Sequence, residues 1–71
     1  MESIRLAQAA LAIDNTWEDA YRIQMRSYLA KGNRPQAIKT YMKCEIVLEE
    51  EYGIAPLPET KKLLQEIEAI N

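Results

Sequence analysis

Ile4, Ala7, Ala10 and Ile13 recur 34 residues further on as Ile38, Tyr41, Cys44 and Val47, and Ser3 falls on Ala37 in the same frame. An offset of that size, with small residues where two helices must approach closely, is the pattern of stacked helical hairpins. Each hairpin in such a stack has an apolar face that only a neighbouring element covers. The 71 residues therefore read as one full hairpin flanked by a lone helix on each side. The first of these looks like the second half of a hairpin whose first half is missing.

Two glycines and three prolines fall between the periodic stretches. Glu2 to Ile13 carries Ile4, Ala7, Ala10 and Leu11 at helical spacing. Asp14-Asn15-Thr16 is a polar break, from which Thr16 is expected to cap the next helix with Asp19 three residues on. Trp17 to Lys31 carries Trp17, Tyr21, Met25, Tyr28 and Leu29 on one side, and Gly32 ends it. Asn33 caps the third helix, with Pro35 in its first turn, where a missing N–H does no harm. Its stripe is Ala37, Ile38, Tyr41, Cys44, Leu48 and Tyr52, and Gly53 is its stop. Ile54 to Leu57 is expected to be extended, because each proline biases its predecessor away from helix, with Ile54 packed inward. Pro58 starts the fourth helix, whose stripe is Leu63, Leu64, Ile67 and Ile70. The expected buried set is Tyr21, Met25, Tyr28, Ala37, Tyr41, Cys44 and Leu48.

Composition narrows the function. Apolar residues make up 48% and charged residues 28%, with a net charge of −2, an ordinary globular balance. A lone Cys44 with no histidine excludes an internal disulfide, leaves no tetrahedral zinc set and removes histidine-assisted nucleophiles. Carboxylates are scattered, with no paired constellation for acid–base work. No enzyme, cofactor or metal is expected. The apolar runs are far too short to span a bilayer. The single thiol fits a reducing, cytoplasmic setting, and the mild acidity argues against nucleic-acid binding by this segment.

From Tyr21 the order Tyr21, Tyr28, Gly32, Ala37, Tyr41, Cys44 follows the tetratricopeptide pattern of aromatic, aromatic, turn glycine, small, aromatic, small. Glu18-Asp19-Ala20-Tyr21-Arg22, Met25-Arg26, Gly32-Asn33-Arg34 and Ala37 through Tyr41 to Cys44 resemble the bacterial transcriptional activator domain family. So, above all, does Glu51-Tyr52-Gly53-Ile54-Ala55-Pro56-Leu57-Pro58-Glu59-Thr60. The resemblance covers nearly the whole chain. It implies an all-α, tetratricopeptide-like right-handed array of helical hairpins with about four helices. It also implies that residues 1–71 are a single such domain, the C-terminal fragment of a larger regulator. The implied function is protein interaction and regulation: dimerisation, or contact with the transcription machinery. By this resemblance the segment has no DNA binding of its own, which falls to a separate upstream domain. A free-standing adaptor that binds a partner peptide is the alternative. Leu57 stands where the family commonly has Ser, so the fourth helix loses a cap worth roughly 1 kcal/mol and is expected to fray at its start.

Arg22 and Arg26, one helical turn apart, are candidates for holding an acidic partner, although Glu18 stands four residues before Arg22 in the favourable pairing orientation. Ile4 and Leu11 belong to a first-helix stripe with no preceding hairpin to cover it. Together these four residues mark the expected partner surface, for a homodimer. Cys44 reads as a small packing residue, Trp17 and the tyrosines as packing aromatics, and Glu49-Glu50-Glu51 as a solvated face.

Overall fold

The computed structural model describes residues 2–69, with side chains from Ile4 onward. Four helices follow in order: α1 Glu2–Ile13, α2 Glu18–Ala30, α3 Arg34–Tyr52 and α4 Pro58–Glu68. At 12, 13, 19 and 11 residues they hold well over two thirds of the chain, and no strand occurs among the described residues. Ile70, expected in the stripe of α4, and the side chain of Ser3 lie outside the described residues. The array is the tetratricopeptide-like one that the 34-residue offset predicts.

Local chemistry sets the boundaries. At the end of α2 the Gly32 N–H donates to the Leu29 carbonyl (3.0 Å) and the Asn33 N–H to the Tyr28 carbonyl (2.8 Å). This is the paired closure that follows a left-handed residue, and Gly32 has φ 75°. The Asn33 side chain then accepts from the Gln36 N–H (3.3 Å), capping α3 as its sequence position predicts. Gly53 (φ 65°) ends α3, its N–H donating to the Glu49 carbonyl at 2.9 Å.

The α1–α2 turn departs from expectation. Thr16 does not cap α2, because its N–H (3.0 Å) and hydroxyl (2.6 Å) both go back to the Asp14 carboxylate. This is an Asx turn, and the N-cap position falls to Trp17, which makes no side-chain cap bond. These two bonds, the hydroxyl's foremost, hold the exposed Asp14 carboxyl below its usual range.

α2 packs against each of the other three helices, and α4 lies across α2 and α3. One cluster joins Met25, Ala37, Tyr41, Leu63 and Ile67 from α2, α3 and α4. A second joins Tyr21, Cys44 and Leu48, with Leu11 reaching in from α1. Six of the seven residues expected to be buried are so, and Tyr28 is half-buried. The Tyr21 hydroxyl donates to the Asn15 carbonyl (2.7 Å), which satisfies the one polar atom of a buried ring.

Ile54 does not pack inward. It is exposed, as are Tyr52 and Leu57, and Pro56 takes the buried position in the connector. A proline ring has no N–H to satisfy, so it enters the interior of an extended segment with little polar penalty.

A Cβ at Gly53 meets nothing within 4 Å, so the cost of a side chain there is backbone strain alone. Gly53→Ala is expected to destabilise by about 1 kcal/mol, a fall in Tm of several degrees for a domain of this size. Gly53→Asn, which tolerates the left-handed region better, should fall less. Thermal melts of the three proteins check this, and an Ala variant melting with the parent contradicts it.

Candidate protein-contact surfaces and the network beneath them

Three features combine burial, charge or open volume. The first is a polar network between α2 and the start of α4. Thr60 is fully buried, and its hydroxyl donates to Glu18 Oε2 (2.6 Å) while accepting from Arg22 Nη1 (2.7 Å). Glu18 also accepts the Leu57 N–H, at 3.0 Å to Oε2 and 3.3 Å to Oε1. Arg22 Nη1 stands 3.8 Å from Glu18 Oε2, and Nη2 bonds the Asp19 carboxylate. Leu57, the N-cap residue of α4, makes no side-chain cap bond, so a carboxylate from another helix takes on part of that work. Its negative charge also sits at the positive end of the α4 dipole. Glu18 thus satisfies a different N–H of the same helix end, that of Leu57 itself, across 39 residues of sequence.

Arg22 is therefore committed inside the fold, only 7% exposed. Of the other residues expected at a partner surface, Arg26 is exposed on α2. Ile4 is buried, and Leu11 is half-buried against Tyr21, Cys44 and Leu48.

The second feature is an apolar cleft of about 250 Å³ between α1 and α2. Its lining is Leu6, Ala7 and Ala10 with Trp17, Ala20 and Ile23. Leu6, Trp17 and Ile23 remain 67%, 48% and 42% exposed, and they line one cleft rather than standing singly, which is what makes an exposed apolar patch informative. The cleft matches a corner elsewhere in the molecule. α2 lies in the corner between α3 and α4. In the 34-residue frame Ala7 and Ala10 correspond to Tyr41 and Cys44, both buried in that corner. Trp17 and Leu57, the two N-cap residues, align α2 with α4. The α1–α2 cleft thus stands in the place of that corner one repeat earlier. Sequence reasoning missed Leu6, Trp17 and Ile23 as a set. Their signal was present in the N-cap alignment, which places Ile23 where α4 has the buried Leu63.

The third feature is a groove of about 500 Å³ on the other side of α2, between α1 and α3. Leu11, Tyr21 and Tyr28 contribute apolar surface, and the rest of its lining is dominated by carboxamides and lysines.

Cys44 is fully buried and free. Burial, reinforced by the Glu18 carboxylate, pushes its thiol from an ordinary 9.0 to about 12. Burial also raises the phenols of Tyr21 and Tyr41. A thiol held neutral is a poor nucleophile, and the residue reads as packing.

Two outcomes follow for the interior. Glu18→Ala leaves the Thr60 hydroxyl and the Leu57 N–H without their acceptor and the buried Arg22 without one of its two carboxylates, and should destabilise by about 2–4 kcal/mol. Glu18→Gln keeps the acceptor oxygen and should lose less; urea midpoints of both variants decide. For Cys44, the unfolded chain releases its proton near pH 9 and the folded chain only near 12. Its contribution to stability is therefore complete below pH 9 and is lost as pH rises toward 12, with the two phenols acting in the same direction. Melts from pH 8 to 11 should show a falling Tm, with a shallower fall in Cys44→Ala. A disulfide reagent at pH 8 should label the thiol only after denaturant is added, and prompt native labelling contradicts the burial.

No curated protein and no solved structure matches the chain. A family model described as bacterial transcriptional activator domain matches residues 1–68. These are regulatory rather than enzymatic domains, and among the described residues no helix is long and apolar enough to cross a membrane. With its signature decapeptide running from the end of α3 into the start of α4, the chain belongs to the bacterial transcriptional activator domain family.

Proposed function

We propose that this chain is a protein-contact module of a cytoplasmic bacterial transcription regulator, and that it works by homodimerisation through the α1–α2 cleft. It binds no DNA itself; DNA contact belongs to a separate domain of the parent protein. The supporting observation is the cleft, an apolar corner left open in a chain that fills the equivalent corner one repeat later. Leaving such a surface in water forgoes roughly 25 cal/mol per Å² of apolar area. A second copy is the favoured occupant because α1 carries both halves of a self-complementary contact. Its Leu6 forms a wall of the cleft, and Ile13, seven residues on and 90% exposed, extends the same stripe. Two-fold pairing of one such patch closes on itself. Arg26, exposed on α2, lies three residues from Ile23. Leu11 faces the Tyr21 cluster instead, so the diagnostic position is Leu6.

Sedimentation equilibrium over a hundredfold range of concentration tests the proposal. The parent should approach twice its 8.2 kDa mass, and Leu6→Glu and Ile23→Glu should each stay monomeric with the parent's helix content. A parent that remains monomeric at millimolar concentration, or a variant that still dimerises, overturns it.

A further inference from the structure

The connector between α3 and α4 carries side chains that the fold does not use. In the segment Glu51 to Thr60, Gly53 makes the left-handed turn, Pro56 is buried, Pro58 opens α4 and Thr60 joins the buried network. Tyr52, Ile54 and Leu57, by contrast, are large, apolar and exposed. Both ends of the connector lie against the α1–α2 turn. The hydroxyl oxygens of Tyr52 and Thr16 stand 3.4 Å apart, and the Leu57 N–H reaches Glu18. The three side chains therefore share one end of the array, and apolar side chains grouped in this way mark a contact surface where single ones do not.

Charge is segregated at the same end. Residues 6–21 and 44–60, which supply the turn and the connector, hold three and five of the 11 acidic residues and none of the 9 basic ones. Asp14, Glu18 and Asp19 are bonded within the fold, to Thr16, Thr60 and Arg22. Glu45, Glu49, Glu50, Glu51 and Glu59 are exposed and have no ion pair, since both ion pairs among the described residues belong to Arg22. Glu49, Glu50 and Glu51 also stand at the negative end of the α3 dipole, where a carboxylate is unfavourable and a cation is favoured. The sequence marks this run only as a solvated face; the structure sets exposed Tyr52, Ile54 and Leu57 beside it.

We infer that this end of the array docks a lysine- or arginine-bearing segment of a partner protein that also carries apolar anchors. Ile54 and Leu57 give the anchors apolar surface to cover, and the exposed carboxylates match the partner's cations. The ring of Tyr52 suits either, since an aromatic face attracts a cation as well as an alkyl group. Charge decides against other occupants. Nucleic acids and anionic membranes are repelled by the same carboxylates. A second copy pairing through this end would set acidic surface on acidic surface, an arrangement that costs several kcal/mol. The surface uses neither Leu6 nor Ile23 and does not depend on the dimer.

The test begins with a displayed library of random dodecapeptides panned against the parent chain and counter-selected against Ile54→Gln/Leu57→Gln. Both of those positions are exposed, so the variant should keep the parent's helix content. Selected sequences should combine Lys or Arg with large apolar residues. A synthetic peptide of the selected sequence is then titrated into isotopically labelled protein and followed by NMR. The backbone amides of Glu51, Tyr52, Ile54 and Leu57 should shift. Ile54→Gln/Leu57→Gln should bind at least tenfold more weakly. Glu50→Gln/Glu51→Gln should bind at least threefold more weakly, and affinity should fall as salt rises. Glu66→Gln/Glu68→Gln, exposed on α4, serves as a charge-matched control and should bind like the parent. No enrichment, enrichment without basic residues, shifts confined to other surfaces, or equal weakening in the control each overturns the inference. So does a fall in sedimentation mass in Ile54→Gln/Leu57→Gln, which would make this surface a contact between copies. Leu6→Glu, which tests the dimer, should leave peptide binding unchanged, so the two readings fail independently.

Discussion

α2 is the helix on which the others depend, because it packs against all three of its neighbours and divides its surface among them. Ala20 and Ile23 face the cleft beside α1, Arg22 and Met25 meet α4, and Tyr21 and Gln24 open toward the groove between α1 and α3. A helix of 13 residues thus presents three chemistries at three angles. The whole array measures 33 × 25 × 16 Å, less than two helix diameters in its thinnest direction. A slab that thin cannot bury every apolar side chain, so its apolar residues divide between two small clusters and a residual exposed face.

The interior shows how polar atoms can be tolerated in such a slab. Thr60 and Arg22 are buried, and each is satisfied through Glu18 or Asp19. The Tyr21 hydroxyl finds a turn carbonyl and the Thr40 hydroxyl finds the Gln36 carbonyl of its own helix. At the far end, Arg34 Nη2 reaches the Glu68 carbonyl at 3.3 Å, so a cation sits where the dipole of α4 is negative. α4 is held at both termini by side chains that are not its own.

Much of the fold was legible from local signals. The bounds of α1, the Asn33 cap, the left-handed Gly53 and most of the core each depend on residues within one or two turns of one another. The misreadings have a common cause. Thr16 could cap α2 or return to Asp14, and both options are local; the nearby carboxylate offered two bonds to one residue. Ile54 was expected inside because it is apolar, but Pro56 filled that space with no amide to satisfy. The Glu18–Arg22 pair was visible as an i,i+4 spacing. Its third member Thr60 and its role as the cap of α4 were not, because nothing in residues 18–22 indicates which element will lie across them 38 to 42 residues later. The two candidate surfaces were half legible: the exposed stripe of α1 followed from the repeat, while the groove required knowing that α1 and α3 leave a gap over α2.

The long reach of Glu18 bears on the order in which the molecule is assembled. The closures that end α2 and begin α3 join residues no more than five apart, so the α2–α3 hairpin can form at little loop-closure cost. Fastening α4 requires Glu18 to meet Leu57 and Thr60 after a loop of about 40 residues has closed, and contacts of that separation are made late. Run backward, the same ordering makes α4 an element whose local release leaves the hairpin intact. The hairpin would keep its turn while Met25 and Tyr41 became solvent-accessible. Glu18 then acts as one latch on α4, beside Arg34 at the far end and the packing of Leu63 and Ile67 between them.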